Sequence, residues 1–261
     1  RVNASVMTLS SDDRRRYARH LLMPNIGEAG QERLAATKVL VIGAGGLGAS
    51  ALSYLSACGI GTIGIVDDDT VELSNLNRQI IHETGDIGRL KVESAADRIS
   101  ELNPRVNVQT YAVRFSEENA AFLVNAYDVV VDGCDNFATR YVINHICRQQ
   151  KKPWVYCAVR GVEAQLSCFY TGRAEGDTPC YQCLVPLAPP ERNDCAERGV
   201  LGSLVGVMGS IMATEIIKIV LGIGQPYYHR LLRFHALSGQ WRESRLMRDP
   251  QCEECGKHKA L

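Results

Sequence analysis

The sequence predicts one α/β domain over residues 1–261: a mixed, mainly parallel sheet with helices on both faces, an N-terminal helical arm and a C-terminal tail tied back by cysteines. Three observations carry that expectation. Short, continuously apolar runs rich in β-branched residues alternate with helix-like segments as far as Gln150. A glycine-rich turn joins the first such run to a helix. Beyond Pro153, strand patterns follow one another with no helix-length pattern between them, which points to antiparallel pairing.

The arm, 12–37, opens with a helix over Ser11–Leu22, where Ser11-Asp12-Asp13 favours the positive end and Arg14-Arg15-Arg16 forms a solvated face. A nucleotide-binding half, 38–152, follows. Its first strand is Lys38–Ile42, then the turn Gly43-Ala-Gly-Gly-Leu-Gly48, then a helix over Ala49–Cys58. The strand Thr62–Val66 ends in Asp67-Asp68-Asp69, and a helix from Lys91 to Leu102 leads to the strand Val106–Val113. Asp128–Asp132 reads as a buried strand backed by a helix over Ala138–Gln150. The second half, 153–261, holds strands Trp154–Ala158 and Glu163–Tyr170, then a connection from Thr178 to Val200 long enough to suggest function. A helix over Ser203–Leu221 and strands at Leu231–Ala236 and Gln240–Leu246 complete it.

Composition narrows the function. With 29 Lys+Arg against 29 Asp+Glu the formal net charge is zero, which removes the footprint of a general nucleic-acid binder. Val200–Gly222 is apolar enough to suggest a membrane span, but Glu215, Lys218 and its glycines argue for a buried or subunit-interface helix, so no membrane partner is expected. Ten cysteines are too few for a disulfide scaffold in a chain this long, and four of them form two Cys-x-x-Cys pairs. The opening residues lack a signal peptide's apolar core, so the expected setting is the cytoplasm.

Gly43, Gly45 and Gly48 match a dinucleotide-binding turn, where glycines permit close backbone approach and a helix N-terminus attracts phosphate. Asp67, nineteen residues after Gly48 at the end of the next strand, is placed for a ribose hydroxyl. Ala49 stands where a P-loop needs lysine, which excludes that phosphate grip. Strand carboxyl ends line the ligand crevice of an open sheet, so Asp67, Asp135 and Asn136 should converge with the turn. Arg78 and Lys91 suit charge stabilisation on a reacting phosphate, with Asp135 available to a hydrated Mg²⁺. Cys180, Cys183, Cys252 and Cys255 supply the thiolate set of a closed structural zinc site, a zinc clamp on the tail.

These residues resemble the ThiF/MoeB/HesA group of ubiquitin-activating-like adenylyltransferases. The resemblance rests on Arg16-Tyr-Ala-Arg19, the Gly43–Gly48 turn, Asp67-Asp-Asp69, Ser74-Asn-Leu-Asn-Arg-Gln79, Lys91, Asp132-Gly-Cys-Asp-Asn136 and the two cysteine pairs, in family order over nearly the whole chain. It implies a Rossmann-like fold and ATP-dependent adenylylation of the C-terminal glycine of a ubiquitin-fold sulfur carrier ending in Gly-Gly, with pyrophosphate released. By motif, Gly46 would approach the nucleotide, Asp67 hold the ribose, Asn75, Arg78 and Lys91 contact phosphates, and Asp135 serve Mg²⁺. Asp69, Gln79 and Asn136 join the ATP-binding set, and Arg19 would reach the ATP of the other subunit of a homodimer. Glu191-Arg-Asn193 and Gly239-Gln-Trp-Arg242 lean toward a ThiS-like carrier of thiamin-thiazole synthesis; Leu246–Pro250 is also typical of the branch that serves a MoaD-like carrier of molybdopterin synthesis. With no sulfurtransferase domain after Leu261, the sulfur donor is expected to be a separate protein.

Cys195 lies in a polar loop with Arg192 and Arg198 close in sequence, a setting that favours thiolate. The resemblance implies a covalent link from a cysteine of this loop to the carrier, although Asp194 shifts the register; an exposed spectator thiol is the alternative. Two further readings stay open. A nicotinamide-dependent dehydrogenase fits the turn but gives no joint role to Arg78, Lys91 and Asp135. A non-catalytic scaffold fits the fold but not that intact set.

Overall fold

The computed structural model describes residues 9–172, 178–187 and 199–256. Its strands are β1 (Lys38–Ile42), β2 (Thr62–Val66), β3 (Asn107–Tyr111), β4 (Val129–Asp132), β5 (Trp154–Arg160), β6 (Glu163–Phe169), β7 (Arg230–His235) and β8 (Gln240–Arg245). They form one sheet in the order β3-β2-β1-β4-β5-β6-β7-β8. Pairing is parallel from β3 to β5 and antiparallel from β5 to β8, as the change in rhythm after Pro153 predicts.

The strand run Val39–Ile42 is continuously apolar because both sheet faces are covered. Val39 and Val41 enter a core shared with the helices α3 (Gly27–Ala36), α4 (Gly46–Ala57), α5 (Lys91–Leu102) and the long apolar helix Gly202–Leu221. Leu40 and Ile42 point the other way, into a core with α6 (Glu117–Asn125), α7 (Phe137–Gln149) and the rings of Trp154, Tyr156, Phe169 and Tyr181. Alternation along a strand therefore builds two cores from one five-residue run.

Several boundaries differ from the sequence expectation for local reasons. The opening helix is two, α1 (Ser11–Arg16) and α2 (Ala18–Leu21), because Tyr17 leaves helical geometry and turns inward, where its hydroxyl accepts from Asn103 Nδ2 at 2.8 Å. Its N-cap is Ser10, in a reciprocal box with Asp13, rather than the Ser11 cluster. The arm is docked on the sheet's helices: Gln31 Nε2 donates to Cys58 O at 2.8 Å and Arg33 to Leu221 O at 3.0 Å. Helix α4 starts at Gly46, three residues before the expected Ala49, because the last glycines of the turn form its first turn. Helix α6 was not expected; Ser116 and Asn119 cap it reciprocally, a weak signal in a polar stretch. A short helix α8, Tyr181–Leu184, stands inside the long connection.

The Gly202–Leu221 helix, α9, has a mean hydropathy of 1.9 and is long and apolar enough to cross a membrane. Here it lies along α4, where Gly209 lets the backbones approach: a Cβ there would sit 2.6 Å from Leu47 O. Glu215, the residue that breaks its apolar pattern, is buried but partnered by the Tyr227 amide at 2.9 Å and by the Lys218 ammonium.

Candidate active site

Strand order reverses between β1 and β4, and at such a switch point the strand carboxyl ends leave a crevice. A cavity of about 1920 Å³ opens there and continues across β5 to β8. Gly43, Gly45, Gly46, Asp67, Asp69, Asn75, Arg78, Gln79, Lys91, Asp135 and Asn136, scattered over 94 residues of sequence, all line it. Gly48 lies just below, packed under the Gly43 carbonyl.

The turn is held rigidly. Gly43 has a φ of +95°, and a Cβ there would lie 2.7 Å from Gly133 O. The next residue is fixed at both ends: Ala44 N donates to Asp67 Oδ2 at 2.7 Å, and Ala44 O meets His82 Nε2 at 3.2 Å. His82 Nδ1 in turn meets Ser94 Oγ at 2.8 Å, which also reaches Asp86 at 2.8 Å. Burial pushes the His82 pKa down. Gly45 faces the cavity, with only Gln79 Nε2, at 3.8 Å, near the place of a Cβ.

Charged groups surround this cradle. Asp67 is half-buried; burial pushes its carboxyl up, against the opposing pull of Lys91 and the amides of Ala44 and Asp69. Lys91 is 6% exposed and pairs with Asp69 at 2.7 Å, which leaves two of its three donor positions for a ligand. Arg78 uses Nη1 on Ser74 O and Asn77 Oδ1, at 3.0 and 3.1 Å, so Nε and Nη2 remain. Gln79 is 4% exposed, yet its Oε1 has no partner among the described residues, an expensive arrangement unless a bound group meets it. Asn75 Oδ1 accepts the Glu72 amide at 3.1 Å, and Asn136 Oδ1 caps α7 by accepting the Thr139 amide at 2.9 Å. Asp135 stands exposed on the crevice wall. The carboxylates of Asp67, Asp68 and Asp69 lie within 4.8 Å of one another, a second place where acidic oxygens gather.

Arg140 belongs to this site and escaped the motif reading. It is 5% exposed, and its Nε donates to the fully buried Asp132 at 3.1 Å while Nη2 donates to Cys134 O at 2.7 Å. It thereby fixes the 132–136 loop that presents Asp135. Burial pushes the Asp132 carboxyl up while Arg140 pulls it back. The available signal was an arginine among the buried positions of an amphipathic helix, a place that demands a partner.

The four paired cysteines assemble elsewhere, under α7 and α8. Their sulfurs approach at 3.6 Å (Cys180 to Cys252), 3.4 Å (Cys183 to Cys255) and 4.0 Å (Cys180 to Cys183). Sulfurs at a Zn–S distance of ~2.3 Å on a regular tetrahedron are ~3.8 Å apart, so the donor set fits Zn²⁺ in number, chemistry and spacing. Arg19 is exposed on α2 and does not line the crevice of its own chain. Cys195, Glu191 and Asp194 lie outside the described residues.

The family model described as "ThiF family" matches residues 17–254. A sulfur carrier protein adenylyltransferase of Thermus thermophilus is 43% identical over 96% of this chain and 93% of its own length. A SAMP-activating enzyme of Haloferax volcanii is 43% identical with the same coverage of each chain. A probable adenylyltransferase/sulfurtransferase, MoeZ, of Mycobacterium tuberculosis is 45% identical over 93% of this chain, which spans 62% of that relative. Among solved structures, Escherichia coli MccB superposes with a TM-score of 0.80 over 97% of this chain and 77% of that one, at 22% identity, a likeness of fold.

Proposed function

Because the chain belongs to the ThiF family and is an enzyme of the adenylyltransferase kind, we propose that it activates the C-terminal glycine of a ubiquitin-fold sulfur carrier with ATP. The observation that supports this most is one crevice in which a glycine turn at a helix N-terminus, two cationic side chains with free donors and an orphaned glutamine oxygen meet a long groove.

In this reading the adenosine lies over the turn with its ribose on Asp67, and the phosphates lie along Gly45 and Gly46 at the start of α4. Asn75, Arg78 and Lys91 hold the phosphates through their N–H donors, while Gln79 Oε1, an acceptor, is left for a hydroxyl or amino donor of the nucleotide. The carrier carboxylate attacks the α-phosphorus: a new P–O bond forms, the bond to the β-phosphate breaks, and pyrophosphate leaves with that electron pair. Arg78 and Lys91 stabilise the growing charge, and their positions are set before the reaction by Ser74 O and Asp69. Asp135 would hold Mg²⁺, which neutralises phosphate charge when bound. Cys180, Cys183, Cys252 and Cys255 would hold Zn²⁺, which staples the tail to α8 and takes no part in the chemistry.

The active unit is a homodimer with Arg19 reaching the neighbouring site, residues 38–152 serve the nucleotide, and 153–261 serve the carrier. A ThiS-like carrier is favoured, with a MoaD-like one as the second reading. The cytoplasm, a reducing compartment that suits free thiols and a thiolate metal site, is the setting. Pyrophosphate exchange tests the reading. It should require a carrier with a free C-terminal glycine, and Asp135→Ala and Arg78→Ala should each lower it ~10²-fold. Exchange with free amino acids, or near-wild-type rates in both variants, would refute it.

A further inference from the structure

The crevice does not end at the nucleotide cradle. It runs on over the antiparallel half of the sheet, where strand alternation sends Ala164, Leu166, Leu232 and Phe234 into the core and turns their neighbours outward. On that outward face Gln165, Arg233 and Arg242 stand in one cross-strand row, and Glu163, His235 and Gln240 in the next. Arg233 and Arg242 are thus directly opposed across β7 and β8, a like-charge pairing that a sheet avoids when nothing compensates it. Both are exposed. Among the described residues Arg233 forms no hydrogen bond or ion pair, and Arg242 hydrogen-bonds only to the neutral Gln240 Oε1 at 2.9 Å. On the opposite face of this hairpin Arg230 is likewise opposed to an arginine, Arg245, but there a carboxylate compensates: Arg230 is matched to Glu243 at 3.1 Å.

We propose that Arg233 and Arg242 form an anion-recognition subsite for a carboxylate side chain of the carrier, just upstream of its C-terminal glycines. This rests on the carrier-adenylylation reading and adds to it the chemistry of the partner's tail. An anion between the two guanidiniums removes their repulsion and gains charge-assisted, fork-shaped hydrogen bonds. The place of that carboxylate follows from the sheet. Three and a half strand spacings of ~4.8 Å separate the β1/β4 switch point from β7, a span of ~17 Å. An extended tail advances ~3.3 Å per residue, so the carboxylate falls about five residues before the reacting glycine. Glu163, in the adjacent row on β6, would oppose a carboxylate that slipped one strand toward the nucleotide, which fixes the register.

The test uses the full chain with fluorescent decapeptides ending in Gly-Gly that carry either Glu or Lys at the fifth position before the terminal glycine. By anisotropy at low salt the Glu peptide should bind at least ~10-fold more tightly than the Lys peptide, and the preference should shrink as salt screens it. Arg233→Glu with Arg242→Glu should reverse the preference, with ATP titration of the same variant checking that it folds. Equal binding of both peptides, no saturable binding of either, or a Glu preference that survives the double substitution would each overturn the subsite. Failure of the adenylylation reading is separately visible as absence of pyrophosphate exchange with any carrier, whatever the peptides do.

Discussion

Gly43→Ala and Gly45→Ala should have opposite consequences, although the residues stand two apart in one turn. At position 43 a side chain meets a φ of +95° and a backbone oxygen, Gly133 O, at 2.7 Å. The conformation alone costs ~1–3 kcal/mol for an L-residue. Relieving the contact means displacing the end of β4, whose Gly133 amide is itself bonded to Ile42 O at 2.8 Å. A loss of about 3 kcal/mol is expected, after a gain of ~0.4–1 kcal/mol from the stiffer unfolded chain. In a chain of 261 residues that lowers the melting temperature by ~6–10 °C. At position 45 φ is −74°, and the nearest atom to a Cβ is Gln79 Nε2 at 3.8 Å. Stability should change by no more than ~1 kcal/mol, the cost of exchanging Gly for Ala at a helix N-cap. The new methyl projects into the crevice where phosphate approaches, so KM for ATP should rise ~10-fold or more. Thermal unfolding and ATP-dependent pyrophosphate exchange read the two effects separately. Equal melting losses would refute the steric account of Gly43, and wild-type ATP kinetics in Gly45→Ala would refute the placement of the phosphates.

Protein purified without added metal should carry one zinc per chain, and Cys252→Ser should both empty the site and lower the melting temperature, since metal binding there is folding energy; a stable, metal-free preparation would count against it. Mixing Arg19→Ala subunits with Lys91→Ala subunits should restore exchange, because one site of a mixed dimer then has both residues. Proven subunit exchange without activity would remove Arg19 from the neighbouring site. Cys195→Ser should leave pyrophosphate exchange nearly intact while abolishing a thiol-sensitive conjugate with the carrier; survival of the conjugate would show the covalent role to be wrong.

The sequence by itself determined the class of fold and most of the crevice. Continuous apolar strands, a glycine turn between strand and helix, and polar residues at strand ends are local signals, and local chemistry produces them: Val39–Ile42 must be buried on both faces, and Gly43 must adopt a φ that other residues resist. The two cysteine pairs were legible for the same reason, each being a short motif with a known ligand geometry, although their meeting across 68 residues was an expectation until the sulfurs were placed at 3.4 to 4.0 Å.

Only the tertiary structure decided which polar side chains serve structure and which remain open to a ligand. Asn136 proved to be a helix cap, Asp69 the partner of Lys91, and Arg140 the buried anchor of the Asp135 loop; no spacing rule distinguishes these from ligand contacts, because hydrogen-bond partners come from distant strands. The Arg233 and Arg242 pair was invisible for a similar reason. Opposition across a hairpin depends on register, and register is set by the whole sheet rather than by either strand.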